Sequence, residues 1–120
     1  MSIKAEYWQR GEAIDYTNPA EASAKIDANE IVTIGSHIGV AGAPIAPGET
    51  GTLHVFGVFE MPKSSENAIA IGTNVYFDGT GITEAADNGK QDNDLITYPS
   101  AGYATEAAAA ADTTIKVRLV

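Results

Sequence analysis

Apolar and polar positions alternate along this chain in short runs, and turn-forming residues interrupt them at intervals of about ten residues. The cleanest run is the C-terminal "TTIKVRLV", where Ile115, Val117 and Leu119 fall on one side and Lys116 and Arg118 on the other. Successive side chains of a strand point to opposite faces, so this pattern predicts a half-buried strand. "EAIDYTNP" sets Ile14 and Tyr16 on one face and closes at Asn18-Pro19, where the residue before proline favours extended backbone. "EIVTIG" and "HIGVAG" read as further short strands, separated by Gly35, and "APIAPGETG" as a loop. "NVYFDGTG" alternates around Val75 and Phe77 and ends in an Asp-Gly turn signal. "LITYP" reads as a short strand, and "ADNGKQDND" before it as an exposed polar loop.

"GTLHVFGVFEMPK", Gly51 to Lys63, has a different pattern. Leu53, Val55, Gly57 and Phe59 would share one face, and Thr52, His54, Phe56 and Val58 the other. Both sets are largely apolar, which predicts one strand covered on both sides or closing a barrel. Gly57 inside it marks a bend or a close backbone approach, and Pro62 ends the hydrogen-bond ladder.

"TEAAAAAD" has the composition of a helix, because alanine has the best helix propensity. It is too short and lacks an apolar stripe, so a loop or single turn is expected. "IGVAGAPIAPGETGTLHVFGV" can be laid over "AGYATEAAAAADTTIKVRLV" with one gap, so that Gly39 meets Gly102 and Thr52 to Val55 meet Thr114 to Val117. The echo predicts two similar β-hairpin units. The expected architecture is all-β: a small barrel or sandwich of short strands over residues 13–120, preceded by an extended N-terminal segment, 1–12.

A length of 120 residues suits one domain. The formal net charge of −9 opposes nonspecific binding to nucleic acid or anionic membranes. With no cysteine, disulfides and thiolate metal sites are excluded. The opening "MSIKAEYWQR" lacks the apolar core of a signal peptide, and no apolar run approaches the ~20 residues of a membrane span.

Sites of chemistry are hard to assemble from these residues. His37 and His54 are the only histidines, short of the three or four ligands of a zinc site. No serine sits in a Gly-x-Ser-x-Gly elbow. "DNGKQDND" is rich in oxygen ligands, but its glycine is third rather than sixth and Lys90 lies inside it, unlike a calcium loop. The single Gly89-Lys90 is followed by Gln91 and has Glu84 at the first glycine's place, so the phosphate-loop pattern fails. No catalytic, cofactor or metal residues are assigned. The cluster Tyr7, Trp8 and Arg10 is the one candidate contact site: it docks on its own domain or anchors a partner, since Tyr and Trp are frequent interface hot spots.

Several blocks occur in a telling order: "Tyr16-Thr17-Asn18", "Ile38-Gly39-Val40-Ala41", "Gly48-Glu49-Thr50-Gly51-Thr52", "Gly57-Val58-Phe59-Glu60-Met61-Pro62-Lys63", "Gly72-Thr73-Asn74-Val75-Tyr76-Phe77-Asp78", "Gly102-Tyr103-Ala104" and "Thr113-Thr114-Ile115-Lys116-Val117-Arg118-Leu119". Over nearly its whole length the chain resembles a family of small phage and prophage proteins regarded as capsid cement or head decoration proteins. Some members have carried a recombinase-like label, which the failed phosphate-loop pattern opposes here. The resemblance implies a non-enzymatic, β-rich protein on the outside of the phage head. It would be made in the host bacterial cytoplasm, bound to the major capsid protein and commonly trimeric. It implies no cofactor and no direct contact with nucleic acid or membrane. Ser2 to Arg10 is then expected to add a strand to a neighbouring sheet edge, with Tyr7 and Trp8 as anchors. Alternatives are another small virion part, such as a head fibre base or tail adaptor, and, from a different class, a DNA-processing or nucleotide-binding enzyme.

Overall fold

The computed structural model describes residues 2–120. Nine short strands carry the fold: β1 (Ala13–Thr17), β2 (Ile31–Ile34), β3 (His37–Ala41), β4 (Thr50–His54), β5 (Gly57–Pro62), β6 (Asn74–Phe77), β7 (Ile82–Thr83), β8 (Ser100–Ala104) and β9 (Thr114–Leu119). They form one sheet with free edges rather than a closed barrel: β1, β2, β5 and β7 each pair with a single neighbour. The alanine run holds no helix, as its length and missing stripe imply. The polar loop contains a single 3-10 turn at Asp92–Asp94.

The sheet is built twice from the same plan. In the first half β1 pairs β4, β4 pairs β3 and β3 pairs β2, all antiparallel. In the second half β5, β9, β8 and β6 repeat those pairings in that order. Equivalent residues meet equivalent partners: Tyr16 faces Gly51 as Met61 faces Ile115, and Val32 faces Gly39 as Val75 faces Gly102. The halves join where β3 and β8 run parallel, at His37 and Ser100.

The echo in the sequence is therefore real, but its strand register differs from the expectation. Leu53 pairs Ala41 as Val117 pairs Ala104, which slides the second strand two residues along. A slip of two residues keeps every side chain on its own face, so alternation alone cannot detect it.

Four turns of one kind tie the loops. In each, a carbonyl accepts the amide three residues on: Asp27 from Glu30, Ala46 from Glu49, Ala70 from Thr73 and Ala109 from Asp112. The third residue is left-handed in the first three turns, at Asn29 (φ 69°), Gly48 (φ 83°) and Gly72 (φ 83°), as a type II turn demands. Ahead of each turn stands an apolar residue, and these pair across the half: Ile26 with Ile45, and Ile69 with Ala108. The sequence carries this signal openly as "IDANE", "IAPGE" and "IAIGT", a spacing that strand periodicity does not reveal.

Two apolar clusters follow from the duplication. Ile26, Val32, Ala41, Ile45 and Leu53 fill the first half. Their counterparts Ile69, Val75, Ala104, Ala108 and Val117 belong to a larger cluster that Ile38 and Val40 of β3 also join. Burying each Leu, Ile or Val contributes about 1.5–3 kcal/mol. Where the first half has Ile45 beside Gly51, the second has Ala108 and Ile115, so large and small exchange places.

Two strand expectations need correction. "GTLHVFGVFEMPK" is two strands, β4 and β5, which belong to different halves and part at Val55-Phe56. Gly57, at φ 117°, supplies the bend. Only one face is covered: Thr52, His54, Phe56 and Val58 are exposed. "LITYP" is not a strand either. Thr97 makes one isolated bridge to Asp87, Leu95 and Ile96 stay exposed, and β8 begins only at Ser100. This segment lies within residues 78–99, where the second half has an insertion in place of the tight Gly35-Ser36 turn.

Candidate functional site

The N-terminal arm and one groove of the sheet stand out on the surface. The arm, residues 2–12, holds no strand or helix. Gly11 turns it in the left-handed region (φ 80°) just before β1. Tyr7 is 83% exposed and Trp8 89%, and Ile3 is fully exposed. Exposed apolar side chains on a segment without secondary structure leave that surface without cover in this chain. Arg10 pairs with Glu12 at 3.3 Å in full view of solvent, and Gln9 donates to the Ala13 carbonyl at 3.1 Å. Of the three expected contact residues, Tyr7 and Arg10 line one shallow pocket with Gly11, Glu12 and Phe56, and Trp8 does not. Phe56 is fixed from below: the Arg118 guanidinium lies 5.0 Å from its ring centre and donates to the Tyr103 hydroxyl at 3.0 Å.

The groove has a volume of about 580 Å³. Phe59, Glu60, Met61 and Pro62 line one wall, Asn29, Glu30 and Ile31 another, and Phe77, Gly79 and Thr80 close the end, with Val40 also contributing. Consecutive residues of β5 line it, not alternate ones. It therefore runs along the free edge of β5 rather than across a face of the sheet. The start of β2, whose strand likewise pairs only with β3, lies opposite. Ile31, Phe59 and Phe77 are half-buried there, packed on the larger core cluster.

The groove's end is locked by one carboxylate. Asp78 Oδ1 accepts the Thr80 amide at 2.9 Å, the Thr80 hydroxyl at 2.8 Å and the Gly81 amide at 3.0 Å, while Oδ2 accepts the Ser64 hydroxyl at 2.7 Å. Burial pushes the Asp78 carboxyl up, but these donors together outweigh it and hold it below the ordinary carboxylate range. A Cβ on Gly81 would lie 2.9 Å from the Pro62 carbonyl, so only glycine fits this close approach. The Gly57–Lys63 and Gly72–Asp78 blocks are thus tied together by the bond from Ser64, just past the first, to Asp78, and both line the groove. Sequence reasoning missed the groove, because alternation along one strand does not say which strand edge stays unpaired.

The titratable groups elsewhere do structural work. Glu84 accepts from Asn67 Nδ2 at 2.8 Å, and that bond, with the nearby Ser65 hydroxyl, holds it below its ordinary value. His37 and His54 are exposed and stand in separate places, one pairing Ser100 and the other beside Phe59 at 6.3 Å between rings. Among the described residues no group of three His, Asp or Glu gathers as a metal site, and no helix is long and apolar enough to cross a membrane.

Comparison with known proteins yields one family. No curated protein and no solved structure matches the chain. The family model described as "Phage cement protein" matches residues 8–119, from the arm's Trp8 to the end of β9. The chain belongs to the phage cement protein family, and its role is that of a phage capsid structural protein.

Proposed function

We propose that this protein binds the outside of the assembled phage head and stabilises the shell. Family membership over residues 8–119 is the observation that carries this reading. A ligand that binds only the assembled state stabilises it by mass action, which is what a cement requires. We read residues 13–120 as one β domain and 1–12 as its contact arm, of which Met1 lies outside the described residues.

The functional unit in this reading is a homotrimer on the major capsid protein. Three linked contacts gain avidity, so each can be weak. Tyr7, Trp8 and Arg10 are the arm's contact residues. The −9 net charge fits a protein that keeps decorated heads apart and touches neither nucleic acid nor membrane. It is made in the host bacterial cytoplasm and resides on the virion surface.

The test uses expanded heads that lack this protein. Adding it back is expected to raise their resistance to heat and chelator, and light scattering of the purified protein is expected to report three copies. Heads no more resistant with it than without it would overturn the stabilising role.

A further inference from the structure

We infer that the groove along the free edge of β5 receives the N-terminal arm of a second copy of this chain. The inference builds on the arm's reading as a contact segment and assigns its acceptor.

As an extended strand the arm puts Ile3, Ala5, Tyr7 and Gln9 on one side, and Lys4, Glu6, Trp8 and Arg10 on the other. The side with Ile3 and Tyr7 is the more apolar, and Trp8 stands among the charges. In its own chain this apolar side has no cover, since Ile3 and Tyr7 are almost fully exposed. The groove offers what the arm lacks. Ile31, Phe59 and Phe77 present half-buried apolar surface, and β5 has backbone groups on its open edge with no strand to pair them. An extended segment laid there gains main-chain hydrogen bonds from the edge and side-chain burial from the floor.

Charge selects a copy of the same chain as the occupant. Lys4 and Arg10 against Glu6 give the stretch Ser2–Arg10 +1, while the rest of the chain, with Glu12 at the arm's base, carries −10. Glu30 and Glu60 flank the groove. Ser2–Arg10 is thus a basic stretch of an acidic protein, and the groove it fits is acidic at its rim. Its own arm leaves near Phe56, ahead of β5, with Tyr7 already against that ring's pocket. Nine residues from Ser2 to Arg10 span at most about 30 Å when extended, ample for reaching a neighbour around a symmetry axis. Each copy would give an arm and take one, which closes a ring.

Trp8 is the only tryptophan, so its emission reports the arm directly. In the full-length protein its emission is expected to move to shorter wavelength as concentration rises and copies associate. Glu30→Lys with Glu60→Lys, both at exposed sites, is expected to raise the half-maximal concentration roughly fivefold. Adding Lys4→Glu and Arg10→Glu to that variant is expected to restore it. A photo-cross-linking residue at Tyr7, in a mixture of light and isotope-labelled copies, is expected to join Phe59–Pro62 or Phe77–Thr80 of another copy, in solution or on decorated heads.

A link confined to one chain, a link to capsid protein alone, or no link in either setting would overturn the inference. So would loss by the double lysine variant that the reversed arm fails to rescue. These readings in solution need no heads. A protein that cross-links in this way yet does not bind heads would sink the decoration role and leave the arm exchange standing.

Discussion

Asn18 and Lys63 occupy the same position in the two halves, one residue past β1 and β5, and each reaches back to tie down its own loop. Asn18 Nδ2 donates to the carbonyls of Ile45 at 3.0 Å and Ala24 at 3.3 Å. Lys63 Nζ donates to those of Ser65 at 2.7 Å and Ala110 at 3.3 Å. Their own amides are equivalent too, bonding Glu49 and Thr113. Both residues are buried, so each loop depends on one polar side chain.

Removing either donor takes a hydrogen bond from each of two loop carbonyls, of which Ile45's keeps the Ile26 amide. Asn18→Ala and Lys63→Met are each expected to cost about 1–3 kcal/mol. Urea unfolding measures this, and a variant with an unchanged midpoint would show that water replaces the donor freely. Lys63 also closes the Gly57–Lys63 block of the resemblance. Its role there is to hold a loop, which accounts for a lysine in a place that offers no chemistry.

The exchanged sizes at Ile45/Gly51 and Ala108/Ile115 make a second prediction. A Cβ on Gly51 would come within 2.5 Å of Ile45 Cγ1, so Gly51→Val overpacks the first half. Ile45→Ala alone opens a cavity and is expected to cost about 2–5 kcal/mol. Together they give the first half the small-and-large order of Ala108 and Ile115, and the double variant is expected to lose less than the two single losses combined. A double-mutant cycle on unfolding free energies checks this, and strict additivity would contradict the equivalence.

The Asp78 lock carries a pH dependence. Its folded-state pKa lies below that of the unfolded chain, so its contribution is present above the unfolded value of about 3.9. That contribution is lost as pH falls through the folded-state value. Asp78→Asn is therefore expected to be less stable than the parent at pH near neutral, with the gap narrowing as the medium is acidified. Urea midpoints of both proteins across that range are the measurement. A constant gap would assign the effect to packing and not to the carboxylate charge.

Much of this fold is legible in the sequence, and the reasons differ by element. β9 was plain because Ile115, Val117 and Leu119 face a core while Lys116 and Arg118 do not. β1 was plain from Ile14, Tyr16 and the Asn18-Pro19 turn. The break at Val55-Phe56 was hidden, because Phe56 and Val58 are apolar yet exposed and so prolonged the apparent strand. "LITYP" has strand-like composition, but the inserted segment brings it no neighbour to pair with beyond one bridge. Of the proposed contact residues, Tyr7 and Trp8 were legible as neighbouring aromatics in the N-terminal segment. The groove was not, since it arises from which edges remain free after two halves dock.

In the proposed role this protein binds assembled heads through its arm. Sedimentation of purified protein with expanded heads lacking it tests that most directly, alongside a variant without Ser2 to Trp8. The full-length protein is expected to pellet with the heads to saturation, and the folded truncated variant to remain in the supernatant. Full-length protein left in the supernatant at every concentration, or equal binding by both, would contradict head binding through the arm.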